Sequence, residues 1–91
     1  MTSRSIQVTL GAVATPISTT SEVFNQMIVQ NNSAAACRLG DSTVSATKGI
    51  SMAAAAATPP VVIGPFVGQE GDASQFYLFG TSGDLIDILL I

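Results

Sequence analysis

"SQFYLFGTSGDLIDILLI", residues 74–91, is the stretch on which the fold turns. Both halves are rich in aromatic and branched residues, and the "TSGD" between them contains Gly83, so two strands joined as a compact hairpin are expected. Side chains on a strand alternate between its faces. Ile86, Ile88 and Leu90 therefore share one face, and Leu85, Asp87, Leu89 and Ile91 share the other. A strand with one wet face alternates apolar with polar, whereas this one ends apolar on both. The Ile86 face is assigned to the domain's own core. Leu89 and Ile91 imply a cover supplied by another chain, and Asp87 marks where that cover begins.

Similar signals recur along the chain. "SIQVTLG" alternates cleanly, with Ile6, Val8 and Leu10 inward and Gln7 and Thr9 outward. "TPISTT" is extended, and Pro16 suits a sheet edge. "EVFNQMIVQNNS" carries Met27 and Val29 on one face and Gln26, Ile28 and Gln30 on the other, before Asn31-Asn32-Ser33 turns the chain. "AAACRLGDS" reads as the return strand, closing at Gly40-Asp41. "STVSATKG" is a loop or edge crossing to "GISMAA". The five alanines from Ala53 are too few to nucleate a helix before Thr58-Pro59-Pro60 stops them, so they read as extended or as one loose turn. "PPVVIGPF" gives a short strand from Val61 to Ile63, and "VGQEGDAS" a turn-rich loop. Seven or so short strands with no amphipathic helix predict an all-β fold, a small antiparallel β-sandwich or jelly-roll-like barrel, with residues 1–91 as a single domain.

Composition narrows the function. A chain of 91 residues is marginal alone and is commonly reinforced by disulfides, metal or oligomerisation. Cys37 is the sole cysteine and there is no histidine, which leaves oligomerisation or docking on a larger partner. Charged residues make up 10% of the chain, against roughly 25% in typical soluble domains, so much of the surface must be neutral or covered. The net charge is −3, with only Arg4, Arg38 and Lys48 as cations; these form no phosphate-tracking stripe, and direct nucleic-acid binding is not expected. "GISMAAAAATPPVVIGPFVG" carries no charge, yet its prolines and lack of basic flanks argue against a membrane span. The alternating N-terminus does not form the continuous apolar run of a signal peptide.

Catalytic chemistry finds little to work with. Without histidine, neither a Ser-His nor a Cys-His dyad can be built, and Cys37, in a strand beside Arg38, reads as a small buried hydrophobe. "GDSTVSATKG" lacks the glycine spacing of a phosphate-binding loop and the helix that should follow. Glu70 and Asp72 are too few for tight calcium binding. "NNS" matches a glycosylation sequon at Asn31, which matters only in a secreted eukaryotic context. No enzyme activity, cofactor or metal is expected.

The order "VQNNSAAACRLGDSTVSATKGISM", then "GPF", then "SQFYLFGTSGDLIDILLI" resembles small β-sandwich virion proteins of tailed bacteriophages. In that group a "QNNS"-like turn precedes an "R-[IL]-G-D-S-x-V-S" segment, a glycine and a closing "[FI]-Y-[VL]-x-G-T" hairpin. The similarity runs from about Gln7 to Ile91 and rests on turns and core strands. By it, Gly40 and Asp41 shape a turn, Leu39 packs inward and Phe76 to Thr81 form the penultimate strand. The stretch from Ala53 to Pro60 departs from the group, whose members carry a polar, glycine-containing turn there, and reads as a contact specific to this protein's neighbours.

The resemblance implies a structural protein on the capsid surface of the virion. Such a capsid decoration or cement protein binds the major capsid protein and itself, as a homotrimer, and stiffens the shell. The alternative is a tail, baseplate or spike adaptor or receptor-binding module, which the aromatic content of 5% favours less. The residues expected at the interface are Val61, Val62, Ile63, Phe66, Leu89 and Ile91.

Overall fold

The structure is a computed structural model and describes residues 3–54 and 60–91. It contains ten β-strands: β1 Arg4–Thr9, β2 Thr15–Pro16, β3 Val23–Phe24, β4 Met27–Asn31, β5 Cys37–Gly40, β6 Ile50–Met52, β7 Val61–Ile63, β8 Gly71–Asp72, β9 Tyr77–Phe79 and β10 Leu85–Leu90. Three are two-residue pieces, which leaves the seven longer strands that the alternation patterns anticipate. The only helical element described is a 3-10 turn at Ala73–Gln75. Most of the alanine run, with Thr58 and Pro59, lies outside the described residues.

The strands form two four-stranded antiparallel sheets, ordered β1-β10-β4-β7 and β2-β9-β5-β6, with β3 and β8 as a separate pair. Along the chain, β1, β4, β7 and β10 fall in the first sheet and β2, β5, β6 and β9 in the second. The chain thus changes sheet at every connection between the large sheets except the β5–β6 hairpin. That order is a jelly roll, so the fold is an all-β sandwich of the kind that the strand patterns predict. Each sheet hides one face, and the two hidden faces make one core. Phe24, Met27, Val29, Leu78 and Ile86 are fully buried there, with Val8, Leu10, Ile17, Leu39, Met52, Ile88 and Leu90 almost so.

Two sequence-based pairings are corrected. The penultimate and last strands do not form a hairpin: β9 pairs with β2 and β5, whereas β10 pairs with β1 and β4. The "TSGD" turn, closed by the Asp84 amide donating to Thr81 O at 3.1 Å, is tied to the end of β1 instead. The Leu10 amide donates to Asp84 O and the Gly83 amide to Leu10 O, each at 2.8 Å. This arrangement sets Leu78 and Ile86 on opposite sheets and buries both.

Likewise β5 is not the return strand of β4; it lies in the other sheet, between β6 and β9. The Asn31 side chain, 1% exposed, organises this crossover. Its Nδ2 donates to Ala35 O and Ala53 O at 2.9 Å each, and its Oδ1 accepts from the Ser33 amide at 3.0 Å and hydroxyl at 2.6 Å. The sequon asparagine is therefore a buried structural hub.

Loops also supply core. Val44, in the connection after β5, is 5% exposed, and Gly49 closes this loop with φ of +124°. A Cβ at Gly49 would stand 2.7 Å from Val44 Cγ2 and 2.9 Å from Leu39 O, so glycine serves both backbone and space. Phe24 packs on Phe66 and Phe76 with ring centroids 5.9 and 5.8 Å apart, joining the β3–β8 pair to the sandwich.

Candidate functional site

Alternation fixes what the first sheet shows to its surroundings. With Ile6, Val8, Met27, Val29, Ile86, Ile88 and Leu90 turned inward, its outer face carries Ser5, Gln7 and Thr9 from β1, Leu85, Asp87 and Leu89 from β10, Ile28 and Gln30 from β4, and Val62 from β7. The strand registers sort these into rows. Ser5, Leu89, Ile28 and Val62 stand in one, and Gln7, Asp87 and Gln30 in the next.

The first row is apolar over three adjacent strands, which spans about 10 Å at the usual strand spacing. Leu89 and Ile28 are half-buried against their neighbours, and Val62 is 51% exposed. The second row is polar, and Gln7 Nε2 donates to Asp87 Oδ1 at 3.1 Å across the strands. Ser5, Gln7, Ile28, Gln30, Asp87 and Leu89 line a shallow depression between the rows. Asp87 thus stands in the polar row, next to the apolar row of this face.

The six residues expected at an interface divide. Val62 and Leu89 lie on the outer face, and Ile91 is exposed just beyond β10. The backbone of Ile91 is well held: its amide donates to Gln26 O at 2.9 Å and its carbonyl accepts from the amides of Asn25 and Gln26. Val61 and Ile63 alternate to the inner side and pack against the core, as does Phe66; their apolar surface serves this chain first. Ile28 completes the outer row and was not among the six. Its outward position is legible in "MIVQ", but only the pairing of β4 with both β10 and β7 sets it between Leu89 and Val62.

The other candidate groups are engaged structurally. The Asp72 carboxylate accepts from the Ser21 hydroxyl at 2.6 Å, the Glu22 amide at 3.1 Å, and the Ser74 amide and hydroxyl at 2.9 and 2.8 Å. The Ser21 hydroxyl, followed by the Ser74 amide and hydroxyl, holds its pKa below the ordinary carboxylate value. Among the described residues no three His, Cys, Asp or Glu side chains group as metal ligands. Cys37 is 3% exposed, and burial, with Asp84 nearby, pushes its thiol up to about 11, where little nucleophilic thiolate forms at neutral pH. Arg4 pairs with Glu22. Among the described residues no helix is long and apolar enough to cross a membrane.

No family model, curated protein or solved structure matches the chain.

Fully burying an exposed Val, Leu or Ile side chain is worth about 1.5–3 kcal/mol. Leu89 and Ile28, already largely covered by their neighbours, have no more than about a third of that left to gain, and neighbouring side-chain amides can pair with polar groups at the rim.

Proposed function

We propose that this chain is a non-enzymatic virion protein of a tailed bacteriophage, a decoration or cement protein that binds the outside of the capsid as a homotrimer and stabilises the shell. The observation that carries the reading is the Leu89–Ile28–Val62 row on the outer face of the first sheet. A row of this kind gains free energy when another protein covers it. The low charge fits such covered surface, and jelly rolls are frequent in viral capsid domains, an analogy of fold that does not by itself assign function. Repetition over many copies turns weak apolar contacts into firm binding.

The test is co-sedimentation with shells assembled from the capsid protein encoded in the same genome. The chain pellets with shells at a copy number comparable with that of the shell subunits, and Leu89→Asp stays in the supernatant. A chain that fails to pellet, or a variant that pellets equally well, overturns the reading. A few copies per particle, confined to the tail, would favour an adaptor instead.

A further inference from the structure

The four outer edges of the two large sheets are unequal. β2 has two residues, one of them Pro16; β7 has three, bracketed by Pro60 and Pro65; β6 has three. Short strands and nearby prolines are common ways of closing an edge to further pairing. β1 has six residues, contains neither proline nor glycine, and bears one charge, Arg4, which is paired with Glu22. Among the described residues, β10 is its only strand neighbour.

The backbone tells which groups β1 leaves unused. Leu10 turns both its amide and its carbonyl towards the start of β10; its amide, donating to Asp84 O, continues the register of the β1–β10 ladder, and its carbonyl accepts from Gly83, one residue further on. In an antiparallel ladder the direction alternates from residue to residue, so Val8, Ile6 and Arg4 also bond inward. Ser5, Gln7 and Thr9 direct their amides and carbonyls to the open edge.

We infer that the β1 edge pairs antiparallel with β1 of a second copy, about a two-fold axis at Gln7, joining the two first sheets into one. This register alone sets Gln7 against Gln7 and Ser5 against Thr9 in both directions, three pairs that each exchange two hydrogen bonds. The outer face then gains two Ser–Thr cross-strand pairs, which are favourable, and the inner face gains Ile6 against Val8. Charge agrees with the register. Arg4 lies beside Leu10 of the second copy, whose neighbour across its own sheet is Asp84, so the cation approaches a carboxylate-bearing end and stays far from the other Arg4. Because the contact is isologous, it uses both open edges and stops at two copies. It goes beyond the shell-binding reading and does not require it; trimers formed through another face would be linked by it in pairs.

The experiment is register-specific cross-linking. In a Cys37→Ala background, Gln7→Cys places two thiol-bearing residues with Cα atoms about 5.5 Å apart, within the range that a disulfide spans. Mild oxidation gives a band at twice the 9.3 kDa chain mass on a non-reducing gel. Ser5→Cys alone gives none, since the two Ser5 positions are four residues out of register, about 13 Å, whereas mixing Ser5→Cys with Thr9→Cys restores it. Otherwise wild-type Gln7→Pro keeps the monomer fold, because the Gln7 amide faces the open edge, and loses the two-fold contact in sedimentation. Absence of the Gln7→Cys band, equal cross-linking of Ser5→Cys with itself, or unchanged association of Gln7→Pro overturns the inference. Failure to bind shells with the cross-links intact overturns only the proposed function.

Discussion

Leu89 of β10 lies directly opposite Ile28 of β4 on the outer face of the first sheet, while its sequence neighbours Ile88 and Leu90 are buried in the core. One strand thus carries two apolar faces with different duties, and substitution separates them. Leu89→Asp is expected to change folding stability by only about 1 kcal/mol, as for a partly exposed site, yet to abolish shell binding. Ile88→Ala, on the inner face, costs about 2–5 kcal/mol. Urea denaturation of each purified variant checks the first comparison. If Leu89→Asp unfolds the chain as Ile88→Ala does, Leu89 is core and the interface assignment fails.

Asn31 is the second sharp test. Replacing it with Ala leaves the carbonyls of Ala35 and Ala53 and the Ser33 amide without their side-chain partner; these groups are partly buried, so each costs at most the roughly 1–3 kcal/mol of a fully buried orphan. A loss of about 2–4 kcal/mol in urea is expected after partial relaxation. Asn32→Ala, at an exposed position next door, should change stability by less than about 0.5 kcal/mol. Equal effects at the two positions would remove Asn31 from its structural role.

Individual strands were legible in the sequence because alternation is local, as "SIQVTLG" and "MIVQN" illustrate. Partners were less so. A turn such as "TSGD" reverses the chain equally well inside one sheet or between two, and only the hydrogen bonds from Leu10 and Gly83, more than 70 residues apart, select the second. Asn31 reads as a turn residue because its partner Ala35 lies in the crossover it opens and its partner Ala53 lies just after β6, 22 residues away. Val61, Ile63 and Phe66 look like interface candidates because an apolar side chain carries no mark of which surface will bury it. The outward position of Leu89 was legible because the inward face of β10 was already filled by Ile86, Ile88 and Leu90.

Acid should expose the Asp72 cap. Its carboxylate is held below the ordinary value of 3.8 by the Ser21 hydroxyl and by the Ser74 amide and hydroxyl. The folded pKa is thus depressed relative to the unfolded chain, so the stabilisation is fully present above the unfolded value and is lost as pH falls through the folded one. Asp41, accepting from the hydroxyl and amide of Thr43, behaves alike. Urea midpoints measured from pH 5 downward should fall below about pH 4 in the wild type. They should fall less steeply in Asp72→Asn, whose midpoint is already lower at pH 5. An unchanged acid slope in that variant would show that the cap does not contribute.

Cys37 provides the last test, at the opposite end of the pH scale. With its thiol raised from 9.0 to about 11 by burial and by Asp84, roughly one molecule in a thousand carries a thiolate at pH 8, against about one in ten for an unperturbed thiol. Reaction with a thiol reagent should therefore be about a hundredfold slower in the folded chain from ionisation alone, and slower still because the sulfur is buried. Denaturant should release one reactive thiol per chain. The stability sign follows from the raised folded pKa: the contribution is complete below about pH 9 and is lost as pH rises from there through about 11. Cys37→Ala should lack this component of alkaline destabilisation. Fast labelling of the native chain at pH 8 would show that the second sheet opens at β5, and the core drawn around Leu39, Leu78 and Met52 would have to be revised.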